Sequence, residues 1–247
     1  MNRLPKCLSD RDRLFHILRE NLVLVQPEYE PQEVILCPIC LRKLRIDELG
    51  SVEHIVAQNL LKSDPWYMKK ISLSRRAGLT ALCRHSRLTA TGETAKHGCN
   101  GWKGQKYDLL FKGMLQGREI RQEELLHRHG VAVLVMAYLA AFQRLGYGYI
   151  LRPELGQIRQ QFDHPDQRKT AWLDHARVNL APVDPNYQPW GTTSGLPFLF
   201  GGQLTSTAPL EVFFRRFHAL LPSGHWAVKN NPKILLDPVL PPPTNDG

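Results

Sequence analysis

Val34-Ile-Leu-Cys-Pro-Ile-Cys40, continued by Leu41 to Ile46, reads as a strand, a tight turn between two thiols and a return strand. Further along the chain stand Cys83 and Cys99, and before the turn stands Cys7, which makes five cysteines. An odd number that includes a Cys-x-x-Cys points to metal or redox chemistry rather than to a disulfide framework. A tetrahedral zinc site needs four soft donors on short loops, and Cys37, Cys40, Cys83 and Cys99 offer them. Because 15 residues separate Cys83 from Cys99, His85 and His97 are alternative ligands. A redox role for Cys37 and Cys40 is the other reading, although no strand–helix pattern of the thioredoxin kind surrounds them.

Outward from that turn, Ser51-Val-Glu-His-Ile-Val-Ala57 alternates β-branched and polar residues as a strand does. The stretch from Leu60 to Arg87 carries Lys62, Lys69, Lys70, Arg75, Arg76, Arg84 and Arg87 against Asp64 alone. Cys99 to Phe111 begins as a turn and continues as a helix weakened by glycines. Upstream, Leu14, Ile17, Leu18 and Leu22 recur at helical spacing over 10–25, with Ser9-Asp10 as the N-cap. Downstream, the pattern predicts a helix over about 119–144, stopped by Gly146 and divided at Gly130, and another over 209–221, before a proline-rich tail at 238–244.

With 247 residues and 43% hydrophobic side chains, the chain can fill a core, which excludes global disorder. The longest apolar run, Val131 to Phe142, falls well short of the roughly 20 residues that cross a bilayer, so no membrane partner is expected. Met1 to Asp12 returns to charge before an apolar signal core can form, so the expected location is a reducing cytoplasm. The net charge of +9 suits a polyanionic partner, and it is unevenly spread. Residues 1–112 carry 19 basic and 12 acidic side chains, leaving 13 and 11 of the totals of 32 and 23 for 113–247. The excess lies with the cysteines.

Cys37-Pro-Ile-Cys40, Val52-Glu-His-Ile-Val56, Gly78-Leu-Thr-Ala-Leu-Cys83 and Cys99-Asn-Gly-Trp-Lys-Gly104, in this order, resemble the HNH endonuclease family over about residues 34–106. The resemblance implies an α+β fold: a ββα-metal core with a structural zinc on Cys37, Cys40, Cys83 and Cys99, surrounded by additional, mainly helical segments. The chain then divides into an N-terminal helical segment at 1–33, a nuclease core at 34–112 and an accessory, mainly helical and loop-rich region at 113–247. It implies His54 as the general base, since an imidazole titrates near neutral pH. It also implies Glu53 and Asn100 as ligands of a divalent cation, Mg²⁺ or Mn²⁺ first and Zn²⁺ or Ni²⁺ as alternatives. His97 competes with Asn100 for that cation and with Cys83 for the zinc.

Where the family carries a middle Asn that orients the base, this chain has Gly78, so Thr80 or a main-chain group is the expected substitute. Lys69, Lys70, Arg75, Arg76, Arg84, Arg87, Lys103 and Lys106 are expected to meet phosphates, and Trp66, Tyr67 and Trp102 either stack on bases or pack in the core. DNA is the expected substrate, with RNA as an alternative. By family analogy, a regulatory ATPase within a restriction or phage-defence system is an expected partner. The reading from another class is a zinc-stabilised nucleic-acid- or protein-binding module whose nuclease centre has decayed.

Overall fold

The computed structural model describes residues 9–49, 52–57, 78–115, 125–166, 177–180, 198–201, 207–214 and 217–225. The fold is α+β, with helices and small antiparallel sheets built around one extensive apolar core. Helix α1 (Asp10–Val25) starts where expected: the Ser9 hydroxyl accepts from the Asp12 amide at 3.2 Å, and Asp10 and Asp12 sit in the first turn. It buries Leu14, Phe15, Leu18 and Leu22.

Three two-stranded hairpins follow. β1 (Ile35–Leu36) pairs with β2 (Lys43–Leu44) around the first cysteine turn. β3 (Glu53–His54) pairs with β4 (Leu79–Thr80), placing Glu53 opposite Thr80 and His54 opposite Leu79, and the Ile55 amide extends the pairing to the Gly78 carbonyl at 2.8 Å. β5 (Arg87–Leu88) pairs with β6 (Thr94–Ala95). Helix α2 (Gly98–Lys103) leads through a wide turn at Gly104–Asp108 into α3 (Leu109–Leu115).

The centre is α4 (Gly130–Leu145), in which every residue except Arg144 is buried. A helix apolar on all sides has no solvent face and must be surrounded. α5 (Tyr147–Ile150) and α6 (Pro153–Gln161) follow it, and a four-stranded antiparallel sheet packs against it. That sheet runs β7 (Arg177–Leu180), β10 (Phe217–Leu221), β9 (Leu210–Phe214), β8 (Leu199–Gly201). No helix among the described residues is long and apolar enough to cross a membrane.

One expectation is corrected here. The segment 209–221 is not a helix but the β9–β10 pair. Leu210, Val212 and Phe214, then Phe217, Ala219 and Leu221, are buried at every second position, a period of two that suits a strand facing α4. Among its described residues the region 113–247 combines helices with this four-stranded sheet. α4 starts at Gly130, where the division was expected, after a wide turn at Leu125–His129 whose His127 leaves helical geometry, and 119–124 of the expected helix lie outside the described residues.

α4 ends at Gly146, with φ +66°, where an added Cβ would stand 2.2 Å from the Asn21 side-chain oxygen. That oxygen accepts from the Tyr147 amide at 2.8 Å, joining α1 to the end of α4. The buried Tyr147 hydroxyl donates to the Leu36 carbonyl at 2.6 Å and accepts from the Leu36 amide at 2.9 Å. Tyr147→Phe leaves both backbone groups of Leu36 without a partner. It is expected to lower stability by about 1–3 kcal/mol, measured as a reduced urea midpoint at unchanged slope.

Candidate metal centre and adjoining polar cluster

The cysteine turn is closed by backbone bonds from the Cys37 amide to the Arg42 carbonyl and from the Leu41 amide to the Cys37 carbonyl, each 2.9 Å. Leu41 takes the left-handed conformation, φ +57°, that this turn needs. The second pair of cysteines is reached differently. The 15 residues between Cys83 and Cys99 form the β5–β6 hairpin, which returns the chain to its starting point. Gly98 is required at the return: its φ is +59°, and an added Cβ would lie 2.5 Å from the Cys83 carbonyl oxygen. The Asn100 amide then donates to that carbonyl at 3.0 Å.

The Sγ atoms of Cys37, Cys40, Cys83 and Cys99 all lie within 4.8 Å of one another, those of Cys40 and Cys83 at 3.4 Å. Tetrahedral Zn–S bonds of about 2.3 Å put sulfurs roughly 3.8 Å apart, so this set fits a metal ion such as zinc. The Cys83 amide points at Cys37 Sγ and the Cys99 amide at Cys83 Sγ, each 3.5 Å. Burial raises the Cys37 pKa, hydrogen bonds from Cys37 lower those of Cys40 and Cys83, and the neighbouring thiols, Cys37 first, raise that of Cys99. The sulfur set is complete without His85, whose Nε2 lies 3.4 Å from Glu48, and without His97, which is exposed at the head of α2. Cys7 lies outside the described residues.

Beside this centre, α2 brings Asn100 to β3. With its amide turned so that both ends are satisfied, Asn100 donates to Glu53 Oε2 at 2.6 Å and accepts from Arg84 Nε and Nη2 at 3.1 and 3.2 Å. The other oxygen of Glu53 accepts from Lys103 Nζ at 3.2 Å, and Lys103 also donates to Asp108 Oδ1 at 2.7 Å. The Lys103 side chain is 0% exposed. Burial raises the Asp108 pKa and Lys103 opposes that rise; the charge of Glu53 also raises it, while that of His54 lowers it. Glu53, His54, Lys103 and Asp108 therefore share one electrostatic environment, joined to Asn100 through Glu53.

The wide turn explains how Asp108 arrives there. Five residues apart on a regular α-helix, Lys103 and Asp108 would diverge by about 140°, whereas an i→i+5 turn narrows that angle. From α4, the Gln143 side-chain oxygen, with its amide likewise turned, accepts from the Gly78 and Leu79 amides at 3.3 and 3.2 Å. It thus fixes the backbone directly opposite His54. Asp108 and Gln143 were missed in the sequence, where the hint was Gly104 interrupting the helix for Asp108 and a lone amide in an apolar run for Gln143.

Among the expected phosphate contacts, Lys69, Lys70, Arg75 and Arg76 lie outside the described residues, as do Trp66 and Tyr67. Arg84 is exposed. Lys106 lies over the Trp102 ring at 4.7 Å and pairs with Glu93 at 3.1 Å. Lys103 is corrected: fully buried, with its ammonium between two carboxylates, it is not a surface for phosphate. Trp102 is a core residue whose Nε1 donates to the Phe162 carbonyl at 2.8 Å. Family models, curated proteins and solved structures contain no match to this chain.

The protein as purified is expected to carry one zinc per chain by elemental analysis, and Cys83→Ser to lower that content at least tenfold. Lys103→Met strands two largely buried carboxylates. It is expected to cost about 3–5 kcal/mol in chemical denaturation, since removing one partner leaves an uncompensated buried charge.

Proposed function

We propose that this chain is a metal-dependent HNH endonuclease that hydrolyses phosphodiester bonds of DNA, with a ββα-metal core formed by β3, β4 and α2 and a structural zinc on the four cysteines. The observation that carries the reading is that the Asn100 side-chain amide on α2 lies against the carboxylate of Glu53 on β3, next in sequence to His54. Residues that are far apart in the chain thus meet at the head of a hairpin, in the order the resemblance implies.

In this reading His54 takes the proton from the attacking water, the role an imidazole side chain most often fills in general acid–base catalysis. Glu53 would hold a divalent cation together with Asn100 once the Asn100 side-chain oxygen turns from Arg84 toward Glu53, and these oxygen donors fit Mg²⁺ or Mn²⁺. When bound, that cation supplies charge stabilisation at the phosphate and at the leaving 3′ oxygen. Gln143 does what the absent middle Asn does elsewhere, holding the backbone opposite His54 from α4 rather than from within the loop. Lys103 and Asp108 hold the Glu53 carboxylate in place. Arg84, exposed beside Asn100, would meet a phosphate in this reading. The near-neutral 113–247 region is where a controlling partner such as a regulatory ATPase would dock.

One observation favours a second reading. Lys103 already satisfies one oxygen of Glu53 with a buried positive charge, which suits a binding module whose catalytic cation has been lost. Supercoiled plasmid and matched single-stranded DNA and RNA, incubated with Mg²⁺, Mn²⁺, Ni²⁺ or Zn²⁺, separate the readings. Cation-stimulated cutting of DNA with 5′-phosphate ends is expected, falling at least a hundredfold in His54→Ala. Cutting that survives His54→Ala sinks the proposed base. Tight nucleic-acid binding with no cutting favours the decayed module, and cutting confined to RNA redirects the substrate.

A further inference from the structure

Arg87 lies in the hairpin that separates Cys83 from Cys99, and its guanidinium faces two ways. Nε donates to Cys99 Sγ at 3.3 Å. Nη1 donates to Asp163 Oδ2 at 2.9 Å, and Nη2 closes a second arm onto Asp163 Oδ1. Asp163 Oδ2 also accepts from the Ala90 amide at 3.0 Å. The side chains of Arg87 and Asp163 are 17% and 14% exposed. Burial alone would lower the Arg87 pKa, but hydrogen bonding to Asp163 reverses that and raises it.

Asp163 comes just after α6, in the chain that follows the central helix. Its neighbour Phe162 is held as firmly: the Phe162 carbonyl accepts from Trp102 Nε1 at 2.8 Å and from the Tyr107 hydroxyl at 2.7 Å, and its ring packs on Tyr107 at 5.3 Å. Trp102 belongs to α2, three residues beyond Cys99. The corner Phe162–Asp163 therefore grips both the hairpin and the helix that flank one metal-binding sulfur.

Four thiolates around a divalent ion leave two negative charges in a largely buried place, and a charged donor to one sulfur offsets part of that excess. Groups that orient ligands from outside commonly change metal affinity by 10–100-fold. We propose that Arg87 and Asp163 are positioning residues of the metal centre, so that metal binding and docking of the Phe162–Asp163 corner are one coupled event. By linkage, the corner tightens the metal and the metal tightens the corner by the same factor. Loss of metal releases 153–166 from the core while α4 stays folded. This is independent of the nuclease reading.

The test uses the full chain loaded with zinc. Zinc transfer to a chromogenic chelator is timed for wild type, Asp163→Asn and Arg87→Lys, with Glu93→Gln as a control on the same hairpin. Backbone hydrogen exchange is compared with and without zinc. The expected result is at least tenfold faster zinc release from Asp163→Asn and Arg87→Lys, and a change under twofold for Glu93→Gln. In zinc-free wild type, amides of 153–166 exchange faster while those of Gly130–Leu145 keep their protection. Unchanged release from both variants overturns the proposal, as does retained protection of 153–166 without zinc. Equal loss of protection in α4 also overturns it, because zinc would then hold the whole fold. A chain that takes up no zinc overturns it together with the metal centre. The exchange comparison needs no variant, so it decides even if Asp163→Asn fails to fold.

Discussion

A helix with no solvent face can carry polar side chains only if each finds a partner inside the protein, and Tyr138, Gln143 and Tyr147, on and just after α4, find theirs on the elements around the metal centre. The Tyr138 hydroxyl donates to the Pro38 carbonyl, within the cysteine turn, at 2.6 Å. Gln143 takes the amides of Gly78 and Leu79, and Tyr147 takes both backbone groups of Leu36. An unmade hydrogen bond on a buried polar group costs about 1–3 kcal/mol, so these contacts set the position of β1, the turn and β4 relative to the core. The candidate site thus hangs from a helix about 100 residues away in sequence, as the 100-residue separation of Tyr138 and Pro38 shows.

The hairpins that carry the functional side chains are too short to stand alone. β1 to β6 are two residues each, and an isolated two-stranded hairpin is marginal in water. Contact between Cys40 and Cys83, 43 residues apart, closes a long loop and confines 52–57 and 78–80 near the metal-binding sulfurs. The buried Lys103, with Asp108 and Glu53, adds a polar tie whose desolvation is offset only because both carboxylates reach the ammonium.

Much of this was legible in the sequence where spacing alone determines structure. The strand–turn–strand around Cys37 and Cys40, the Ser9 cap and the Glu53-His54 strand follow from local residue order, and the four-cysteine set from the need of one metal for four soft donors. What was not legible depends on burial and on distant partners. Lys103 read as a phosphate contact because a lysine among other cations carries no mark of being enclosed. The gap between Cys83 and Cys99 read as an irregularity because its β5–β6 hairpin makes only two residue pairs. Pro209 to Leu221 read as a helix because its aromatic and aliphatic residues satisfy both periods in part. The choice of period two came from packing on α4. Gln143 could be found only once the fold had placed it against Gly78.

The wide turn at Gly104–Asp108 also sets the rotational phase between two parts of the molecule. Such a turn behaves as a helix with one residue inserted. Removing a single residue from it would turn everything beyond by about 100° and draw it back by about 1.5 Å. Phe111, whose ring meets the Phe214 ring edge-on at 5.3 Å, would swing off the four-stranded sheet. The length of this turn is therefore constrained from both ends: the polar cluster needs Asp108 beside Lys103, and the sheet needs Phe111 against Phe214.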